Sequence, residues 1–92
     1  MTLSLKQVRY FIATADAAQV SQAAIALNVS QSAVTAAVKQ LETELKVELF
    51  KRLSSGMTLT AEGARFLHHA RNIMAAVKAA QNAPLTEDTA IS

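Results

Sequence analysis

A chain of 92 residues, 51% hydrophobic but only 4% aromatic, holds one small domain plus an extension, and its many alanines favour thin-layered helical packing over sheet. It has no cysteine, no leader-like n-region followed by an apolar h-region, and no apolar run near the roughly 18 residues of a membrane span, so thiol chemistry is excluded and a cytoplasmic chain with no membrane partner is expected. The formal charge of +2 hides an asymmetry: up to residue 83, nine Lys or Arg face five Asp or Glu, while Glu87 and Asp88 fall in the last nine residues, so the folded part is moderately basic and suits a polyanion.

Ser4 opens the first expected helix as part of a capping box, Ser4-x-x-Gln7, with Leu3 and Val8 placed as a hydrophobic staple. Leu5, Val8, Phe11, Ile12 and Ala15 then recur at the helical period and predict an apolar face that covers the helices behind it. Of the two cations on the polar side, Lys6 is read as solvated surface, and Arg9 is left between that and a phosphate contact.

From Val20 to Leu45 the segment VSQAAIALNVSQSAVTAAVKQLETEL reads as two helices joined by a tight turn. Ser21 and Ser30 are each placed to accept from an otherwise unpartnered first-turn N–H, each inside a staple, Val20 with Ile25 and Val29 with Val34. The first helix, about Ser21 to Leu27, carries Ala23 and Ala24 where the second can cross closely, and Asn28 suits a left-handed corner. In the second helix Val34, Ala37, Val38, Leu41 and Leu45 form a core-facing stripe. Gln31, Thr35 and Lys39, four apart, make another face with Ser32 and Ala36 beside them. Short polar side chains there can hydrogen-bond base edges and a methyl can touch thymine, whereas acids would be repelled by phosphate. The acids Glu42, Glu44 and Glu48 gather toward the C-terminal end, leaving the positive N-terminal dipole free to approach phosphates.

Beyond Leu45, Leu49-Phe50-Lys51-Arg52-Leu53 and Met57-Thr58-Leu59 flank Ser54-Ser55-Gly56 and predict a small β-wing. A hairpin beside a recognition helix lies along the DNA backbone or enters a minor groove, where Arg is favoured; Arg52 is assigned to DNA ahead of an ion pair with Glu48, and for Lys51 the two readings stay open. Thr60 is placed to cap a last long helix with Glu62 in its first turn, Gly63 replacing the capping-box acid. Phe66, Ala70, Ile73, Val77 and Ala80, with Leu67 and Met74 beside them, then alternate four and three apart like a coiled-coil seam. Over about 30 Å that stripe exceeds what a three-helix unit can cover, so a homodimer through this helix is expected. Asn82-Ala83-Pro84 stops the helix. The expected organisation is a winged helix-turn-helix over 1–59, a linker and dimerisation helix over 60–83, and a disordered tail over 84–92.

The chemistry of enzymes is missing from the pattern. Adjacent His68 and His69 point about 100° apart on a helix and cannot clamp one metal, there is no HExxH or Cys/His cluster, and two glycines make no phosphate loop. No enzyme, metal, cofactor or small-molecule site is expected in this fragment.

The order of pieces resembles the N-terminal DNA-binding domain of LysR-type transcriptional regulators over about residues 3–82. The resemblance is carried by LKQVRYFIATAD in the first helix, SQAAIALNVSQSAVTAAVKQLETELKVELFKR through the helix-turn-helix and wing entry, and LTAEGARFLHHAR opening the linker. It implies a mostly α winged helix-turn-helix, three helices plus a short wing followed by a long linker helix. Linker helices would pair into dimers, and a separate C-terminal effector domain, not in this chain, would bind an inducer and assemble tetramers on promoter DNA. By position, it implies that Gln31, Ser32 and Thr35 face bases or nearby phosphate, Lys39 and Arg52 touch DNA further out, and Ser21 and Ser30 stand next to the backbone.

Three positions depart from the family pattern: Ser32 stands where proline is frequent, Ala36 where a longer polar or basic residue is common, and Lys46 where glycine usually ends the recognition helix. If the backbone at 46 is left-handed, lysine costs on the order of 1 kcal/mol there and Lys46→Gly should stabilise the domain. The sequence therefore reads as a sequence-specific, dimeric transcription-factor domain, with Gln31, Ser32, Thr35 and Ala36 reading bases and Ser21, Ser30, Lys39, Lys51, Arg52 and Arg9 on the backbone or groove. The alternatives are a winged-helix repressor of another family and a helical protein-interaction module that uses the last helix.

Overall fold

The computed structural model describes residues 3–85, in the order α1 (Leu5–Ala17), α2 (Val20–Leu27), α3 (Gln31–Leu45), β1 (Phe50–Leu53), β2 (Gly56–Leu59) and α4 (Ala61–Asn82). The expected tail lies, from residue 86 on, outside the described residues.

Helix α1 starts as its sequence dictates. The Ser4 hydroxyl accepts from Gln7 N–H and the Gln7 side chain accepts from Ser4 N–H, closing the capping box. Its buried face runs through Gln7, Val8, Phe11 and Thr14, not through Leu5, which is 47% exposed. Leu5 lies about 120° round the helix from Phe11, and Ile12 and Ala15 flank the core instead. Thr14 is tolerated there because its hydroxyl donates back to Tyr10 O at 2.8 Å.

The start of α2 corrects one expectation. Its N-cap is Gln19, which makes no side-chain capping bond, so Ser21 is the second helical residue and not the cap. With Val20 already inside the helix, Ile25 is carried to the outer surface, 72% exposed, and the Val20–Ile25 staple is not formed. The corner behaves as read: Asn28 is left-handed at φ 58, the Ser30 hydroxyl accepts from Ala33 N–H, and buried Ala23 and Ala24 let α3 cross closely. Val34, Ala37, Val38 and Leu41 are buried on α3 and Leu45 packs at the margin. Lys46 ends the helix at φ 60, ψ 35, so the left-handed backbone on which the Lys46→Gly expectation depends is present.

The wing is a two-stranded antiparallel hairpin, Phe50 opposite Leu59 and Leu53 opposite Gly56, with Ser54 and Ser55 as its two-residue turn. Gly56 is thus the first residue of β2, with φ 142, and its missing side chain leaves room for Met57 N–H to reach Ala18 O at 2.8 Å; a Cβ would stand 2.4 Å from that oxygen. Leu49 precedes the ladder and is wholly buried.

One core joins these parts. The Phe11 ring stands 5.3 Å from Phe50 and 5.1 Å, edge-on, from Phe66, so α1, the wing and α4 meet at three rings. Ala70 is fully buried and Leu67, Ile73 and Met74 pack against the same cluster, which therefore continues past residue 60. Thr60 caps α4 by accepting from Gly63 N–H, and the helix ends where Ala83 turns extended before Pro84. Most of its last two turns is exposed, which stretches the molecule to 55 × 26 × 20 Å. Arg71 and Asp16 form a salt bridge at 2.6 Å between α4 and the end of α1, but both are about half exposed and the pair contributes little.

Candidate nucleic-acid interface

Helix α3 presents the short-sided rim to solvent because its opposite face is held by Val34, Val38 and Leu41 in the core. Gln31, Ser32, Ala36 and Lys39 are exposed and Thr35 is half-buried at the edge. The Ser30 and Ser32 hydroxyls lie 3.2 Å apart.

The wing stands beside this rim. A groove of about 460 Å³ runs between α3 and the hairpin, lined in part by Thr35, Lys39, Lys51 and Arg52. Where the starts of α2 and α3 approach the hairpin turn, a second groove of about 330 Å³ brings together Ser21, Gln31 and Arg52. Ser21 therefore lines this groove although it caps nothing, and α2 begins beside it without a side-chain cap. Arg52 borders both grooves, is exposed, and makes no ion pair with Glu48 among the described residues. Ser30 and Gln31 also border a third depression with Ser21.

Arg9 is not brought to this side. It lines a separate groove with Ile12, Asp16, Leu27, Arg71 and Met74, between α1, the end of α2 and α4. Lys6 lies over the Tyr10 ring at 5.6 Å, as a surface cation whose role is local. His68 and His69 are exposed, and no group of His, Cys, Asp and Glu among the described residues could hold a metal. Among those residues no helix is long and apolar enough to cross a membrane.

Three features of the interface were not anticipated from sequence. One Glu42 carboxylate oxygen accepts from Leu49 N–H at 2.7 Å and Phe50 N–H at 3.3 Å, tying α3 to the root of β1. Ala18, left-handed at φ 59, turns its carbonyl to Met57 N–H and ties β2 to the α1–α2 corner. Gly63 packs directly on the Leu49 carbonyl, fixing α4 under the wing. The third had a trace in the sequence, a glycine at a position where an acid would improve the cap.

The expected seam on α4 divides in two. Ala70 is already covered within the chain and Phe66 is engaged with Phe11, so Ala70 has no surface left for a partner. Leu67, Ile73, Met74 and Val77 keep partial exposure and Ala80 is exposed.

Residues 5–64 match the family described as bacterial regulatory helix-turn-helix protein, lysR family. The chain is 49% identical over 72 residues to the HTH-type transcriptional regulator CzcR of Bacillus cereus, covering 78% of this chain and 25% of that one. It thus spans about a quarter of the length of the curated relatives it matches. Among solved structures it superposes on the DNA-binding domain of CbnR in complex with DNA, with a TM-score of 0.84 at 38% identity over 87% of this chain and 92% of that one. It also superposes on the BenM DNA-binding domain in complex with catB site 1 DNA, with a TM-score of 0.80 at 29% identity over 83% and 85% of the two chains. With its four helices, wing and matched segment, the chain belongs to the LysR family of bacterial regulatory helix-turn-helix proteins and folds as the winged DNA-binding domain of that family.

Proposed function

We propose that this chain binds promoter DNA sequence-specifically in the bacterial cytoplasm, as the N-terminal part of a transcriptional regulator, with α3 in the major groove and the wing on the backbone or in the adjacent minor groove. The observation that carries this reading is the placement of the rim and the wing cations along one groove, Thr35, Lys39, Lys51 and Arg52 together, over a core that keeps the reverse of α3 buried. The DNA complexes of the similar CbnR and BenM domains support it.

Base preference is assigned to Gln31, Ser32, Thr35 and Ala36, and phosphate or groove contacts to Ser21, Ser30, Lys39, Lys51 and Arg52. Arg9, which lines a separate groove, is left out of that set. Dimerisation falls to the part of α4 that its own domain leaves uncovered, chiefly Met74, Val77 and Ala80 with the outer edges of Leu67 and Ile73. Sedimentation as a monomer at tens of micromolar would refute that. A linked effector domain, in a full-length regulator, is where inducer binding and tetramer assembly would reside.

The division of labour is testable in one filter-binding series. Arg52→Ala is expected to weaken binding to every duplex alike and to lower the salt slope by about one, whereas Gln31→Ala should cost roughly 1–3 kcal/mol mainly at one base pair of a selected duplex. If both variants act alike on selected and random duplexes, the assignment of base-reading to α3 fails. If neither the parent chain nor its variants bind random duplex at low salt, the protein-interaction reading takes its place.

A further inference from the structure

Glu42 is an acid in an unfavourable place for a surface that approaches phosphate. It lines the groove of Thr35, Lys39, Lys51 and Arg52, where a carboxylate facing DNA would repel it. Its Oε2 is engaged instead by two backbone donors, Leu49 N–H and Phe50 N–H, which lead into β1. Leu49 is wholly buried and Phe50 nearly so, leaving those N–H groups no water to turn to. The following residues, Lys51 and Arg52, are the cations of the wing. On α3, Glu42 stands three residues beyond Lys39, the last residue of the rim. The other strand is tied independently through Met57 N–H and the Ala18 carbonyl, so the hairpin is held at both strands and the Glu42 tie sets its distance from α3.

We propose that Glu42 is a positioning residue for DNA binding: its carboxylate oxygen holds the root of β1 against α3 and so places Lys51 and Arg52 relative to the base-reading rim, and the oxygen, not the charge, is what binding requires. This deepens the DNA-binding reading above and rests on it.

Two substitutions separate oxygen from charge. Both donors converge on a single oxygen, so Glu42→Gln keeps an acceptor at the same reach while removing the charge. Glu42→Asp keeps the charge and withdraws the oxygen by one methylene. Binding of a short mixed-sequence duplex is titrated over salt for the parent, both variants, Arg52→Ala and the Glu42→Asp/Arg52→Ala double variant, at a temperature where circular dichroism shows each folded.

Glu42→Gln is expected to bind within about twofold of the parent, or tighter. Glu42→Asp should bind roughly tenfold more weakly, with its salt slope lowered as in Arg52→Ala, and should add little in the Arg52→Ala background. A Glu42→Gln variant weakened as much as Glu42→Asp, a Glu42→Asp variant that binds like the parent, or an undiminished Glu42→Asp effect in the Arg52→Ala background each overturns the proposal. Should Glu42→Asp not fold, Glu42→Gln decides alone: unchanged or tightened binding upholds the oxygen's role and weakened binding removes it. Arg52→Ala binding like the parent is a different failure, that of the wing's part in DNA binding, and takes the proposal with it.

Discussion

Gly63→Ala is expected to lower the melting temperature by roughly 10–20 °C, equivalent to about 3 kcal/mol in a domain of this size. On propensity alone the change should help, since alanine is favoured over glycine in a helix by about 1 kcal/mol. Geometry reverses the sign. A Cβ at position 63 would stand 2.0 Å from the Leu49 carbonyl oxygen, 2.9 Å from its carbon and 3.0 Å from Leu59 Cδ2. The obstacle is backbone, and it cannot yield cheaply: the Leu49 carbonyl accepts from Thr60 N–H at 3.0 Å, and the N–H of the same residue is held by Glu42. Relief therefore means lifting the first turn of α4 off the wing, which separates Phe66 from Phe11. Thermal melts of the variant beside Ala64→Gly, an exposed neighbour that loses only propensity, make the comparison. A Gly63→Ala melting temperature at or above the parent's would show that α4 does not seat against Leu49 as described.

What was legible in the sequence follows local rules. The capping box at Ser4, the Ser30 and Thr60 caps, the left-handed corner at Asn28 and the α3 stripe were readable because each rests on contacts a few residues apart, whose signals are periodicity and side-chain type. One error arose where two candidate caps stand two residues apart. At α2 a plausible serine lost to Gln19, a cap without a side-chain bond, because Ala18 had already turned the chain left-handed two residues before the helix resumes. The rim of α3 was legible for the same reason as its stripe, and the wing cations could be placed near it, yet nothing local says that Glu42 faces inward to the strand root or that Arg52 stands across from Gln31. Those are contacts between elements, set by packing. The α4 seam shows the limit most clearly: its spacing fits a partner helix and its own domain equally well, and the fold directs Phe66 and Ala70 inward.

Ala36→Glu is expected to weaken DNA binding on the order of 100-fold while leaving the fold intact. Ala36 is exposed on the middle of the rim, between Thr35 and the Lys39 turn, and contributes nothing to the core. Glutamate is a good helix former, and an exposed substitution of this kind stays within about 0.5 kcal/mol of the parent in stability. On a DNA-facing surface the same carboxylate meets phosphates and base acceptors, and like charges brought together at an interface cost several kcal/mol; taking about 3 kcal/mol, affinity falls on the order of 100-fold. Ala36→Lys supplies the opposite sign at the same site and should tighten binding to random duplex and steepen its salt dependence by about one phosphate contact. Melting temperatures of both variants and their anisotropy titrations on one labelled duplex are read together. If Ala36→Glu and Ala36→Lys bind that duplex equally, α3 does not lie against nucleic acid, because no orientation of a helix in a DNA groove leaves the middle of its exposed rim indifferent to charge.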